Sequence, residues 1–210
     1  MKERRRIITT RLLVLMMGVI FFTALVTFWK THADVDRRNT RGIDHIGVTV
    51  PDIEAATRFL VEAFDAEILH DTRLRAGGPR GGPEIEARLG IPMGAQMVCS
   101  RMLRLGNGPG VELFEYSADS RQKPAVPSDF GLQHFAVYVD DIEKAADRVV
   151  RAGGQVLKGP GDLPGPESGP NNRYWYTRTP WGSTIELVTY PSPQAYIKDT
   201  TLRRWTPQSR

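Results

Sequence analysis

Cysteine is nearly absent from this 210-residue chain: Cys99 is the only one. A single thiol excludes an intrachain disulfide and any zinc site built on cysteine pairs, so the fold must stand on its core, helped at most by a metal held through other ligands. Positive charge is scarce where a nucleic-acid partner would need it. Residues 1–40 hold eight Lys or Arg against three acids, leaving 20 basic and 21 acidic side chains in the other 170 residues. A nearly neutral body lacks the concentrated charge of a phosphate footprint, and no nucleic-acid partner is expected. The Gly-rich stretch GGPRGG also lacks the Lys-Ser/Thr ending of a nucleotide-binding loop.

Long apolar runs are missing with one exception. Lys2, Arg4, Arg5, Arg6 and Arg11 precede an uncharged, mainly apolar run from Leu12 to Trp29, followed by the polar stretch THADVDRRNTR. As a helix this run would be about 27 Å long, just enough for a hydrocarbon layer of roughly 30 Å. Residues 1–40 thus read as a signal peptide or membrane anchor with its linker, engaging the export machinery or the membrane. The expected location is exported, periplasmic or otherwise extracytoplasmic, with residues 12–29 as the anchor if they are retained.

What the chain does contain is a repeat. DHIGVTVPDIEAATRFL from Asp44 and QHFAVYVDDIEKAADRV from Gln133 share seven identities in the twelve positions beginning at His45 and His134, more than composition alone would produce. Each copy has a β-rich run, an Asp-containing break, and a helical pattern. In the first helix Ile53, Ala56, Phe59, Leu60 and Ala63 recur at three- and four-residue intervals. A second echo closes each unit: GVELFEY ends at Tyr116 and STIELVTY at Tyr190, aligning Glu112 with Glu186. The spacing predicts strands over 43–50, 66–73, 96–105 and 110–116, and again over 132–139, 154–157, 173–178 and 184–190. Helices are expected over 52–64 and 141–152, with a short one over 84–89 in a Gly/Pro-rich insertion. The fold class is α/β (α+β), with two tandem βαβββ modules at about 41–120 and 130–190 forming a shared cleft in a domain spanning 41–190. Residues 191–210 are a C-terminal tail with no helical period.

Strand alternation puts His45, Gly47 and Thr49 on one face and His134, Ala136 and Tyr138 on the matching one, with Glu112 and Glu186 on the corresponding faces of the closing strands. Two imidazoles and two carboxylates at equivalent points of a duplication suit a divalent metal ion: zinc, nickel, cobalt, manganese or iron. The expected site is metal-binding at His45, Glu112, His134 and Glu186, preferably within one chain. Either glutamate would also move protons. Tyr138, Arg101, Asn172, Tyr174 and Tyr176 are candidates for contacting a small-molecule substrate or ligand, whereas Glu115 has the opposite parity from Glu112 and is expected to face solvent.

The segments DHIGVTVPDI, GVELFEY, LQHFAVYVDDI and TPWGSTIELVTY resemble the vicinal-oxygen-chelate superfamily, which includes glyoxalase I, methylmalonyl-CoA epimerase, extradiol dioxygenases and bleomycin or fosfomycin resistance proteins. The resemblance covers nearly everything from Gly42 to Pro191. It implies paired βαβββ modules around a metal cleft, with His45 and His134 as ligands from the opening strands and Glu112 and Glu186 from the closing ones. A complete His-Glu-His-Glu set is similar to glyoxalase I. The epimerase has Gln at the position of Glu112, and the dioxygenases use only the equivalents of His45, His134 and Glu186. Thr179-Pro180-Trp181-Gly182 stands where the superfamily often has Asp-Pro-x-Gly. Three functions follow as expectations: a glyoxalase-like, metal-dependent lyase or isomerase working on a small oxygenated carbon acid through an enediolate; an extradiol-type iron dioxygenase; or a non-catalytic binding or resistance protein. Monomer and homodimer both remain open.

Overall fold

The computed structural model describes residues 42–71, 78–118 and 122–207. The apolar run Leu12–Trp29 and the leader reading attached to it lie outside these residues; among the described residues no helix is long and apolar enough to cross a membrane.

The first module comprises β1 (His45–Val50), α1 (Ile53–Phe64), β2 (Glu67–Asp71), α2 (Pro83–Leu89), β3 (Gln96–Arg104) and β4 (Gly110–Ser117). Its four strands lie in the order β1-β4-β3-β2, with β1 parallel to β4 and the other pairs antiparallel. The second comprises β5 (His134–Tyr138), α3 (Ile142–Arg151), β6 (Gln155–Val156), β7 (Gly161–Asp162), β8 (Arg173–Arg178) and β9 (Thr184–Thr189). It repeats the plan as β5-β9-β8-β6, again with its first strand parallel to its last, and β7 also pairs with β8. The architecture is mixed α+β, and the short helix predicted in the insertion is α2.

Local sequence explains both main helices. Asp52 accepts the amide of Ala55 and Asp141 accepts that of Lys144, each supplying an N-cap. Ile53, Ala56, Phe59, Leu60 and Ala63 form the buried stripe of α1, which stops where Asp65 turns left-handed at φ 55°. A second acceptor helps to start α1. The Glu115 carboxylate takes the Ile53 amide at 2.9 Å. Glu115 is therefore not the solvent-facing residue expected: opposite parity from Glu112 points it to the helix-covered face, where a helix N-terminus supplies its partner.

The helix-covered faces of both sheets contribute to the larger of two buried clusters. Phe59, Leu60, Leu103 and Leu113 pack with Val149 and Ile185 of the second module, against Phe135, Val137 and Trp181. The Thr179–Gly182 turn closes through Gly182 N–H to the Thr179 carbonyl and aims Trp181 edge-on at Phe59, with ring centres 5.5 Å apart. Arg148 of α3 donates to the Glu62 carbonyl at 2.8 Å and to Asp65 at 2.6 Å, fastening the end of α1. Gly154 is obligatory at this seam, since a Cβ there would stand 2.9 Å from the Phe59 ring and 2.8 Å from Val149.

Arg101, expected as a substrate contact, belongs to this helix side. It is only 5% exposed, opposite Leu113 in the sheet, and its guanidinium binds Glu54 and Thr57 of α1 and Asp71 of β2. Arg104 stands three positions further on, an odd offset that puts it on the other face, where it pairs with Glu67. Arg101 therefore holds the helix to the sheet. Arg101→Met is expected to lower unfolding free energy by about 2 kcal/mol in urea melts, because it removes the shared counter-charge of two carboxylates and a buried donor to Thr57. Arg101→Lys should recover only part of that, lacking the planar fork. An unchanged midpoint for both variants would show that the cluster contributes nothing to stability.

Candidate metal and substrate site

The faces not covered by helices carry the ionisable residues. In the first module Gly47 lies opposite Glu112 and Met102 flanks it on the other side, so His45 and Glu112 project from neighbouring strands of one open face. His45 Nε2 stands 3.3 Å from Glu112 Oε2. In the second, Ala136 and Tyr176 flank Glu186 in register, and His134 Nε2 is likewise 3.3 Å from Glu186 Oε2. The duplication thus reproduces the same nitrogen–oxygen pair twice.

That spacing and donor set fit a divalent ion. Two donors each about 2.1 Å from one ion, at right angles, would stand about 3.0 Å apart. His45 Nδ1 bonds Asp44 at 2.8 Å, which fixes the ring and leaves Nε2 directed toward Glu112. The Asp44 hydrogen bond, opposed by desolvation and reinforced by the charge of Glu112, raises the His45 pKa. Both flanking carboxylates favour the protonated imidazole, and a bound cation would compete with that proton. The second pair has a different setting: Gln133 takes the place of Asp44, and among the described residues His134 Nδ1 is buried without a hydrogen-bond partner.

One chain does not assemble the four residues. Among the described residues no three His, Cys, Asp or Glu side chains are grouped so that they could hold one metal ion. The four residues expected in one site do not form such a group here; each module offers a two-donor half-site. The shared core explains why, since the modules join through their helix-covered sides. A cavity of about 700 Å³ does open along the seam between β1 and β5, lined by Thr49, Tyr116, Leu132, His134 and Trp181 among others. It reaches one of the four ionisable residues and is not their meeting point.

The tyrosines gather around the second pair. The Tyr176 ring meets His134 edge-on at 5.3 Å and Tyr174 at 5.8 Å, while Tyr138 and Tyr190 stand 5.7 Å apart. Burial first, then the charge of Glu186 and a hydrogen bond to it, raise the pKa of Tyr176. Asn172 is corrected. It is fully buried, donates to the Glu167 carbonyl and accepts the Ser192 amide, so it ties two loop segments together and cannot reach a ligand. Sequence reasoning missed two residues of this neighbourhood, Glu167 and Arg204, which form an ion pair from a loop and the tail. Glu167 ends a three-residue 3-10 turn, too short to show a period, and Arg204 follows the last such turn; neither has a repeat partner, so no sequence signal marked them.

With this geometry in view, comparison with known proteins is informative. Residues 42–187 match the Glyoxalase/Bleomycin resistance protein/Dioxygenase superfamily, and the chain belongs to that superfamily. It is 32% identical over 169 residues to a 2-epi-5-epi-valiolone epimerase from Actinomyces sp., covering 79% of this chain and 88% of the relative. Among solved structures, a glyoxalase family protein from Bacillus cereus superposes with a TM-score of 0.56 at 16% identity, covering 72% of this chain and 95% of that one. A glyoxalase I mutant from Zea mays gives 0.51 at 20% identity, covering 76% of this chain and 48% of that one. These structural likenesses define the fold.

Glu186 carries an electrostatic cost that can be measured. Desolvation is the largest influence on it and raises its pKa, outweighing the lowering by His134 and Arg204, with Glu167 raising it further. The folded protein therefore holds this proton more tightly than the unfolded chain does. Stability is lost as pH rises above the ordinary carboxylate value and through the folded one. With metal removed by chelator, Glu186→Gln should melt at higher temperature than the parent at pH 8, with the gain shrinking toward about pH 4. A variant that melts lower at every pH would contradict this electrostatic account.

Proposed function

We propose that this protein is a divalent-metal-dependent isomerase, an epimerase that moves a proton on carbon beside a carbonyl group of a small oxygenated substrate. The observation that carries this reading is the duplicated His–Glu pair, in which each histidine has a carboxylate at ligand spacing. A bound divalent ion supplies Lewis acidity, stabilising negative charge on the substrate's oxygens. Inversion at carbon needs proton removal on one face and return on the other. Two carboxylates from opposite halves of a site suit that requirement, and the raised pKa of Glu186 brings it closer to the range useful for a general base. The epimerase relative supports isomerisation over oxygenation, as does Glu112, which a three-ligand dioxygenase site would not use.

The complete site is proposed to form between two copies of the chain, His45 and Glu112 of one meeting His134 and Glu186 of the other. Supporting this is the failure of the four to group in one chain, together with the open setting of His45, whose side chain is 39% exposed. A two-fold dimer would contain two such sites.

Two measurements test the proposal. Glu186→Gln should reduce incorporation of solvent deuterium into 2-epi-5-epi-valiolone at least about tenfold while leaving the fold intact. His45→Ala and His134→Ala should each be inactive alone. Mixed in equal amounts and allowed to exchange subunits, they should regain about one quarter of the parent rate, since half the dimers then contain one intact site. No recovery despite demonstrated heterodimer formation would reject the shared site.

A further inference from the structure

The superfamily match ends at residue 187, yet the chain after it returns to the open face of the second module. Ser192 is bound by Asn172, and Ala195 donates to the Ser168 carbonyl, so the root of the tail is fixed to the loop that carries Glu167. Farther on, Tyr196 accepts the Arg204 amide at 3.0 Å, and the Trp205 ring lies against Gly108 in the β3–β4 turn of the first module. Between these supports Arg204 projects its guanidinium over the Tyr190 ring, 5.1 Å from its centre, and pairs with Glu167. Tyr190 follows Glu186 by four residues on the same face, and Tyr138 packs beside it.

We propose that Arg204 and Glu167 form a substrate-recognition pair that takes adjacent hydroxyls of an uncharged, polyhydroxylated ring bound at the His134–Glu186 half-site. The pair offers what vicinal hydroxyls need: fixed N–H donors and a carboxylate acceptor side by side. Tyr138, Tyr174, Tyr176 and Tyr190 add hydroxyls and aromatic faces for the C–H side of a ring. Charge at the pair itself argues for a neutral group there, because Glu167 already balances Arg204. Arg204 and Glu167 remain 45% and 40% exposed, and ion pairs so open to water contribute little to stability. Their placement is better accounted for by contact with a ligand. This assignment rests on the epimerase reading only for the location of the reacting carbon; the recognition chemistry is independent of turnover.

The experiment uses the full chain with cobalt(II) present and three probes: myo-inositol, an inositol monophosphate, and 2-epi-5-epi-valiolone. Binding is followed by calorimetry and turnover by deuterium incorporation. The parent should bind myo-inositol and the ketone, and the phosphate more weakly. Arg204→Ala should weaken binding of both neutral probes at least about tenfold and raise KM by more than it changes kcat, while the melting temperature stays within a degree or so of the parent's, roughly as for the loss of an exposed ion pair. Arg204→Lys should lie between the two, and Glu167→Gln should also weaken binding. Equal affinity in the parent and Arg204→Ala overturns the inference, as does tighter binding of the phosphate or no binding of either neutral probe. Arg204-dependent binding of the ketone without deuterium incorporation supports the recognition pair and sinks the epimerase reading alone.

Discussion

Everything in this molecule is arranged around one burial problem: each sheet has one long helix to cover it, and one helix leaves apolar surface uncovered. Phe59 is the meeting point of the solution. It is 2% exposed, touches Phe64 and Trp181 edge-on, and lies against the backbone of Gly154. Side chains from both modules complete the larger core around it, while Ile142, Ala145, Ala146 and Leu187 form a smaller cluster within the second module that Phe64 of the first also joins. Truncating such an aromatic residue typically costs about 3–5 kcal/mol, a large part of a domain's net stability. The seam is sealed at its edge by Arg148, whose bonds to the end of α1 satisfy the Glu62 carbonyl that the helix leaves open.

That choice of contact surface has a chemical consequence. Joining through the helix-covered sides leaves both His–Glu pairs on open sheet faces, each with the same 3.3 Å separation. Two donors bind an ion weakly, whereas four from two directions leave positions free for a substrate. The proposed dimer is therefore linked to the core: packing that stabilises the single chain keeps its two half-sites apart, and association would unite complementary ones. An isologous pairing does this twice, because whatever the first module of one copy meets, the first module of the other meets as well.

Much of this was legible in the sequence, and the rest was hidden for identifiable reasons. Period-two and period-3.6 patterns, together with the duplication, marked every strand but the two-residue β7, both main helices and the faces on which His45, Glu112, His134 and Glu186 lie. Parity alone could not tell which arginine of β3 faced inward, and a register shift between Met97 and Cys99 adds an irregularity that no pattern announces. Asn172 shares parity with Tyr174 and Tyr176 but precedes β8, where loop closure rather than the pleat governs its direction. Glu115 was misread because a carboxylate suggests solvent, whereas the amide of Ile53 gave it a partner inside. Module pairing is not a property of any strand; it depends on which apolar faces find each other.

The two copies have also diverged in a way that gives the halves of the site different work. His45 is steadied by Asp44 and stands comparatively open, while the residue matching Asp44 is Gln133 and His134 is more enclosed, beside Tyr176. Around Glu186 lie four tyrosines and the tail-borne Arg204, none of which has an equivalent beside Glu112 except Tyr116, the counterpart of Tyr190. Desolvation of Glu186 follows from this crowding, and so does its tighter hold on a proton. A duplication that began with equal halves thus needs no change in its four ionisable residues to become asymmetric. In the proposed site, surrounding one pair with aromatic rings and a neutral ion pair would make it the end that recognises a substrate, while the other would serve chiefly as a ligand pair.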